Sequence, residues 1–304
     1  MASKKTVTLH NLAALGTERL AAILIDLAEA DAGVRRRLRL ELAAHAGGDS
    51  IAAEIGKRIT SLKNARSFVD WQKRRSLVRE LGQQRTMIVD RVAQTHPSLA
   101  LDLMWRFLDL AEPVLDRVDD SDGSVGDVFQ AACADLGAIA ARASPDPAGL
   151  AERVFIALSA DHYGVFDGLA AAMIPALGNT GAAHLKSRLA LALANRQKGG
   201  GQSLHASDLR SALQNIADAQ ADVDAYITLV PEQDRSRPRI SAKIGRRLLA
   251  AGRTTEALAA LENARPQQRT PSARYHDNLY LVGYGDDGAW EEVYIEALEA
   301  TGQV

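Results

Sequence analysis

The chain has 304 residues, 47% of them hydrophobic, 24% charged and 5% aromatic, with a formal net charge of -2. That balance excludes a fibrous or disordered chain, and the length is ample for a sizeable core in one large domain or two smaller ones. Its single thiol, Cys133, excludes an internal disulfide and any multi-cysteine metal site. Ala and Leu dominate the apolar fraction and β-branched residues are thin, which favours helices over sheets. Ala2-Ser3-Lys4-Lys5 is followed by Thr6 to Asn11 rather than by an apolar stretch, so the expected location is the cytoplasm. The longest apolar run, Leu169 to Leu177, contains Pro175 and is far short of the ~20 residues a membrane helix needs.

Taken in chain order, nearly every segment shows the helical period. Leu20, Ile23, Leu24 and Leu27 form the first apolar stripe, and a second helix through Leu38 and Leu42 stops at Gly47-Gly48. Asp49 or Ser50 is placed to cap the third. Ser67 is expected to cap a long fourth helix over 67–94, with Asp70 three residues on, where a carboxylate favours the positive helix end. Pro97 opens a helix in which Leu99, Leu101, Leu103, Met104, Trp105, Phe107, Leu108 and Leu110 cover nearly the whole circumference, predicting the most buried element. A turn at Asp119 to Ser124 leads into a helix over 125–143, and Ser144-Pro145-Asp146-Pro147 breaks it. Helices follow over about 148–160, 165–177 and 181–197, then 204–220, 222–230, 238–251, 254–264 and 289–301. Lys198 to Ser203, with three glycines in a row, reads as a linker between an N-terminal array, 1–197, and a C-terminal region, 204–304. Leu248 to Leu261 closes on Gly252 in the manner of a tetratricopeptide-like helical pair. The expected fold is therefore all-α: irregular stacked helical hairpins, resembling a solenoid of the tetratricopeptide or HEAT type.

No motif in the chain carries a recognised chemistry. Gly283-Tyr284-Gly285-Asp286-Asp287-Gly288 matches the dinucleotide fingerprint in form, but too few residues follow it for a crossover unit and its two aspartates would repel phosphates. Asp119-Asp120-Ser121-Asp122-Gly123 resembles a calcium loop, yet aligning its glycine puts Phe129 where the bidentate glutamate belongs. The seven histidines never fall at i, i+4 spacing, which excludes a helical ligand pair. Asp161, His162, Asp167 and His184 form the one cluster from which an enzymatic site would be built. Cys133, among alanines, reads as a small buried hydrophobe. No catalytic, cofactor or metal residue is assigned.

Charge is segregated along the chain. Residues 35–91 hold 14 Lys or Arg against 6 acids, a net of +8, whereas residues 92–172 hold 4 Arg against 13 acids, a net of -9. On a wheel of the 67–94 helix, Phe68, Trp71, Leu77, Val78, Leu81, Ile88, Val89 and Val92 fall within one half and are expected in the core. Arg74 and Arg85 project into that apolar arc and so require carboxylate partners, which the acidic stretch 102–127 is placed to supply. Arg35, Arg36, Arg37, Lys73, Arg75, Arg79 and Arg91 form a candidate basic face for a partner.

Arg66-Ser67-Phe68-Val69-Asp70-Trp71-Gln72, Leu103-Met104-Trp105-Arg106-Phe107, Asp119-Asp120-Ser121 and Ile216-Ala217-Asp218-Ala219-Gln220 together resemble a family of all-helical bacterial proteins defined as a domain of unknown function. The resemblance runs from the first helix through the 238–264 pair and transfers no catalytic residue. It implies further helices beyond the counterpart of Gly302, which would leave Trp290, Val293, Tyr294, Ala297 and Leu298 as an uncovered stripe favouring self-association. The functional expectation is a non-enzymatic helical scaffold binding a protein or peptide, without a cofactor and away from membranes. The alternative is a nucleic-acid-associated protein using the 35–91 region, disfavoured because Phe68 and Trp71 are assigned to the core.

Overall fold

A computed structural model describes residues 6–198, 204–265 and 286–303. The protein is all-α: among the described residues, extended pairing is confined to one parallel bridge between Val69 and Val118. No described helix is long and apolar enough to cross a membrane. The chain divides into two compact units, Met1–Leu150 with Ala160–Leu177, and Ala151–Ser159 with Gly178–Val304. These divisions fall within the stretch 1–197 that reads as one array in the sequence, and most of the glycine-rich stretch 198–203 lies outside the described residues.

In the N-terminal unit, α1 (Leu9–Ala13), α2 (Thr17–Ala30), α3 (Ala32–Ala46) and α4 (Gly48–Asn64) follow one another with very short links. Asp31 caps α3 by accepting from Gly33 and Val34 N–H groups. The start of α4 differs from the expectation at Asp49 or Ser50: its N-cap is Gly47, in a positive-φ conformation with no side-chain cap. Ile51, Ile55, Ile59 and Leu62 run along the buried side of α4 at three- and four-residue spacing.

The fourth predicted helix is also corrected at its start. It begins at Trp71, as α5 (Trp71–Met87), and Asp70 rather than Ser67 caps it, accepting from the Gln72 and Lys73 N–H groups. The reason is tertiary. Val69 N–H donates to Arg117 O at 2.8 Å and Asp119 N–H donates to Val69 O at 3.1 Å, which holds residue 69 in extended backbone. α5 then widens into a π-helical turn, Ile88–Val92, and continues as α6 (Ala93–Thr95). α7 (Pro97–Leu108) is the hydrophobic centre of the unit, with Ala100, Leu101, Leu103, Met104, Trp105, Phe107 and Leu108 all buried. α8 (Ala111–Leu115) and α9 (Ser124–Ala143) follow, and the Phe107 and Phe129 rings meet with centroids 5.5 Å apart.

α10 (Pro147–Ser159) and α11 (Leu169–Lys198) each contribute to both units. The expected break between helices over 165–177 and 181–197 is present as a kink in α11 at Gly178, with φ 56° and ψ -167°, three residues after Pro175.

The C-terminal unit contains α12 (Leu204–Ala219), α13 (Val223–Leu229), α14 (Glu232–Arg235), α15 (Pro238–Ala250), α16 (Thr254–Glu262) and α17 (Asp286–Thr301). α15 and α16 form a helical hairpin on Gly252, whose φ of 72° admits the tight turn. Gly245 allows Leu261 and Val293 to approach α15; a Cβ there would lie 3.1 to 3.2 Å from their side chains. The stripe on α17 is therefore covered within the chain. Trp290, Val293 and Ala297 are buried with Ala242, Leu258 and Leu261, and Tyr294 and Leu298 pack against the same cluster. The expectation that Trp290, Val293, Tyr294 and Leu298 offer a free surface for a second copy is corrected accordingly. Arg247 in α15 gives both forks of its guanidinium to Asp218 in α12 and lies 3.7 Å from the centre of the Tyr226 ring, fastening three helices.

Candidate functional site

The two oppositely charged blocks meet only in part. Arg74 Nη1 donates to Asp119 O at 2.7 Å and Nη2 donates to Asp122, while Arg85 Nε donates to Asp135. In the other direction Arg106 and Arg117 of the acidic stretch reach back, to Gly56 O at 3.2 Å and to Ser67 O at 3.2 Å. The Arg74 and Arg117 contacts tie α5 and the loop after α4 to the 117–122 turn, Arg85 ties α5 to α9, and Arg106 ties α7 to α4. Asp122 is held below the usual carboxylate range by hydrogen bonds with Ser124, with Arg74 adding to the effect.

The remaining basic residues divide sharply. Arg35 folds back on the carbonyls of Ala28 and Glu29 at the end of α2, where the helix dipole welcomes a cation. Arg36 and Arg58 share Glu80, the former at 3.3 Å, and Lys73 lies 3.7 Å from Asp70. Arg37, Arg39, Lys63, Arg66, Arg75, Arg79 and Arg91 are all exposed and have no ion pair. Of the seven residues forming the candidate basic face, Arg37, Arg75, Arg79 and Arg91 thus point to solvent uncommitted, whereas Arg35, Arg36 and Lys73 are engaged within the unit.

Phe68 and Trp71 are 65% and 64% exposed, which overturns their assignment to the core. Once the helix starts at Trp71, the wheel that grouped them with Leu77 and Leu81 no longer includes Phe68 and places Trp71 in the first, half-open turn. The buried side of the helix is carried by Leu77, Leu81, Gln84, Ile88 and Val92. Asp70 itself was the available signal, since an aspartate immediately before Trp71 is as good a cap as Ser67.

The other motifs are used by the fold. Asp120 accepts from Val125 and Gly126 N–H groups at 2.8 and 2.9 Å, Asp119 from Ser121 and Asp122 from Ser124, so the calcium-like turn spends its carboxylates on the entry to α9. Asp161 accepts from Tyr163, Val165 and Phe166 N–H groups and closes a loop. His162 lies 3.3 Å from Glu112, and His184, in the other unit, lies 3.5 Å from Glu152. Among the described residues no group of three His, Cys, Asp or Glu is arranged to hold a metal ion. Residues 283–285 of the glycine motif lie outside the described residues. On the C-terminal unit, Ala217, Asp218, Ala221, Asp222, Arg247 and Ala250 line a depression of about 180 Å³, in which Arg247 pairs with Asp218 and Asp222 accepts from the Ala225 N–H.

Cys133 is buried, its Sγ 3.8 Å from Val165 O, and burial with Asp161 and Asp167 pushes the thiol up to about 12. The folded state therefore retains the thiol proton where the unfolded chain, titrating near its ordinary value of 9.0, has lost it. This contribution to stability is fully present below pH ~9 and is lost as pH rises toward ~12. Native protein is expected to leave a disulfide reagent unreacted at pH 8, and chemically unfolded protein to release one equivalent; rapid reaction of the native thiol would contradict the burial.

These features define a class: an all-α protein of two compact helical units whose N-terminal unit carries unpaired arginines and exposed aromatic residues on its outside. The sequence matches, over residues 2–304, the model of a family of unknown function, DUF6880, and the chain belongs to that family. No curated protein and no solved structure matches it.

Proposed function

We propose that the protein is a non-catalytic helical scaffold that docks a protein or peptide partner on its N-terminal unit. The observation that carries this reading is α2, a 14-residue helix in which no residue is buried although Leu24, Ile25 and Leu27 are apolar. They are 41%, 60% and 50% exposed. Stacked helical arrays end in polar-faced caps, whereas the exposed side of α2 sets these three apolar side chains among Glu18, Arg19, Asp26 and Glu29. Arg37 and Arg39 of α3, which packs on α2, add uncommitted cations, and interface centres are enriched in arginine and large apolar side chains. An acidic amphipathic segment is the partner that satisfies both. The test compares proteins captured from native lysate by the wild type and by an Ile25→Asp/Leu27→Asp variant. A discrete partner recovered by the first and lost by the second, with unchanged thermal unfolding, is expected. Identical recovery by both would remove α2 as the docking face.

A second reading, contact with nucleic acid, is favoured by the exposure of Phe68 and Trp71 beside uncommitted arginines. It concerns a different surface.

A further inference from the structure

We infer that the loop before α5 and the first turns of that helix form a binding site for single-stranded nucleic acid, built from Phe68, Trp71, Arg66, Arg75 and Arg79. The site goes beyond the docking face on α2 and shares no residue with it.

Rigidity is the first argument. Phe68 is exposed on a segment fastened on both sides: Arg117 Nη1 donates to Ser67 O at 3.2 Å, Val69 exchanges two backbone hydrogen bonds with Arg117 and Asp119, and Asp70 caps α5. Arg74 locks the same helix turn onto Asp119 and Asp122. The backbone under both rings is thus fixed from beneath, and an aromatic platform fixed in advance gives up little entropy when a flat ring stacks on it.

Charge placement is the second. Trp71, Arg75 and Arg79 recur at four-residue spacing and share one side of α5 over about 12 Å. Arg66 stands two residues before Phe68. None of these arginines has an ion pair, and all are exposed. The carboxylates nearby in sequence or contact are already committed: Asp70 to the α5 cap, Glu80 to Arg36 and Arg58, Asp119 and Asp122 to the 121–124 turn and Arg74. The cations are therefore free for phosphates.

The surroundings decide between nucleic acid and a peptide. Between Leu42 and Ile156 in the sequence, Phe68 and Trp71 are the large hydrophobic side chains left exposed among the described residues. Their exposed sequence neighbours, Ser67, Gln72, Lys73 and Ser76, are polar. A peptide interface needs a contiguous apolar centre, which this patch lacks, whereas a base needs only a ring face with a cation for its phosphate.

Trp71 supplies its own readout, because the other two tryptophans, Trp105 and Trp290, are 2% and 4% exposed. The full chain is titrated at low ionic strength with an oligothymidylate of about 15 nucleotides, and separately with poly-glutamate. Quenching of tryptophan emission by the oligonucleotide is expected, with an affinity that falls as salt rises at a log–log slope near -2, for about three phosphates neutralised. By anisotropy of a labelled oligothymidylate, Trp71→Ala is expected to weaken binding at least about fivefold and Arg75→Glu/Arg79→Glu at least about tenfold, with unchanged circular dichroism. Absence of binding at low salt would overturn the site. So would variants that bind as the wild type does. Equal quenching by poly-glutamate would reassign the patch to acidic peptides. Since Ile25 and Leu27 are untouched, partner capture by α2 succeeds or fails independently.

Discussion

Phe129→Ala is expected to lower the stability of the N-terminal unit by about 3–5 kcal/mol, the range for emptying an aromatic site in a closed core. Phe129 is 0% exposed, its ring faces Phe107, and α9 here packs on α7, whose apolar residues are buried on nearly every side. Tightly buried neighbours leave little freedom to collapse into the space, so the transfer and cavity contributions both apply. In a Trp71→Phe/Trp290→Phe background the remaining tryptophan, Trp105 of α7, is 2% exposed, so its emission in a urea titration reports unfolding of this unit. An unchanged midpoint would mean that the α7 and α9 interface does not hold the unit together. A shared midpoint for this signal and for loss of helix would show that the two units unfold together.

Gly137→Ala is expected to destabilise by about 1–3 kcal/mol or more, although alanine is the better helix former by about 1 kcal/mol. A Cβ at position 137 would stand 2.2 Å from the carbonyl oxygen of Ala172, a backbone atom of α11 that has no rotamer by which to withdraw. Here steric conflict outweighs propensity. Gly82, in α5, provides the opposite sign: a Cβ there has nothing within 4 Å, so Gly82→Ala is expected to leave stability unchanged or raise it by up to about 1 kcal/mol. Thermal unfolding of the two variants side by side measures the contrast. Two substitutions with effects of the same sign would show that α9 and α11 do not approach as closely as described.

The candidate sites were legible in the sequence to unequal degrees. Arg74 and Arg85 are identifiable because a cation inside an apolar arc must find an anion, and the acidic stretch follows directly; the carboxylates are Asp122 and Asp135, the second lying beyond the 102–127 stretch. The 290–298 stripe was equally visible, but periodicity does not say which helix covers it, and α15 and α16 do. Phe68 and Trp71 were misplaced for a related reason. A periodic pattern assigns a side to every residue it includes, and one extended bridge from Val69 to Val118 removed the first turn from the pattern. No local signal marks a pairing with a segment about fifty residues away.

By itself, the sequence determined that the fold is all-α, because the apolar spacing, the caps and the Pro and Gly breaks are local and recur along the chain. It also determined the presence of a basic and an acidic block behind a net charge of -2. Only the tertiary structure decided how those blocks are spent. Arg74 and Arg85 are partly withdrawn from water, with side chains 12% and 31% exposed, and pairing offsets that loss of solvation, while Arg37, Arg75, Arg79 and Arg91 remain solvated and need no partner within the chain. Which arginine falls in which group depends on what lies opposite it, and that is a property of packing between distant segments.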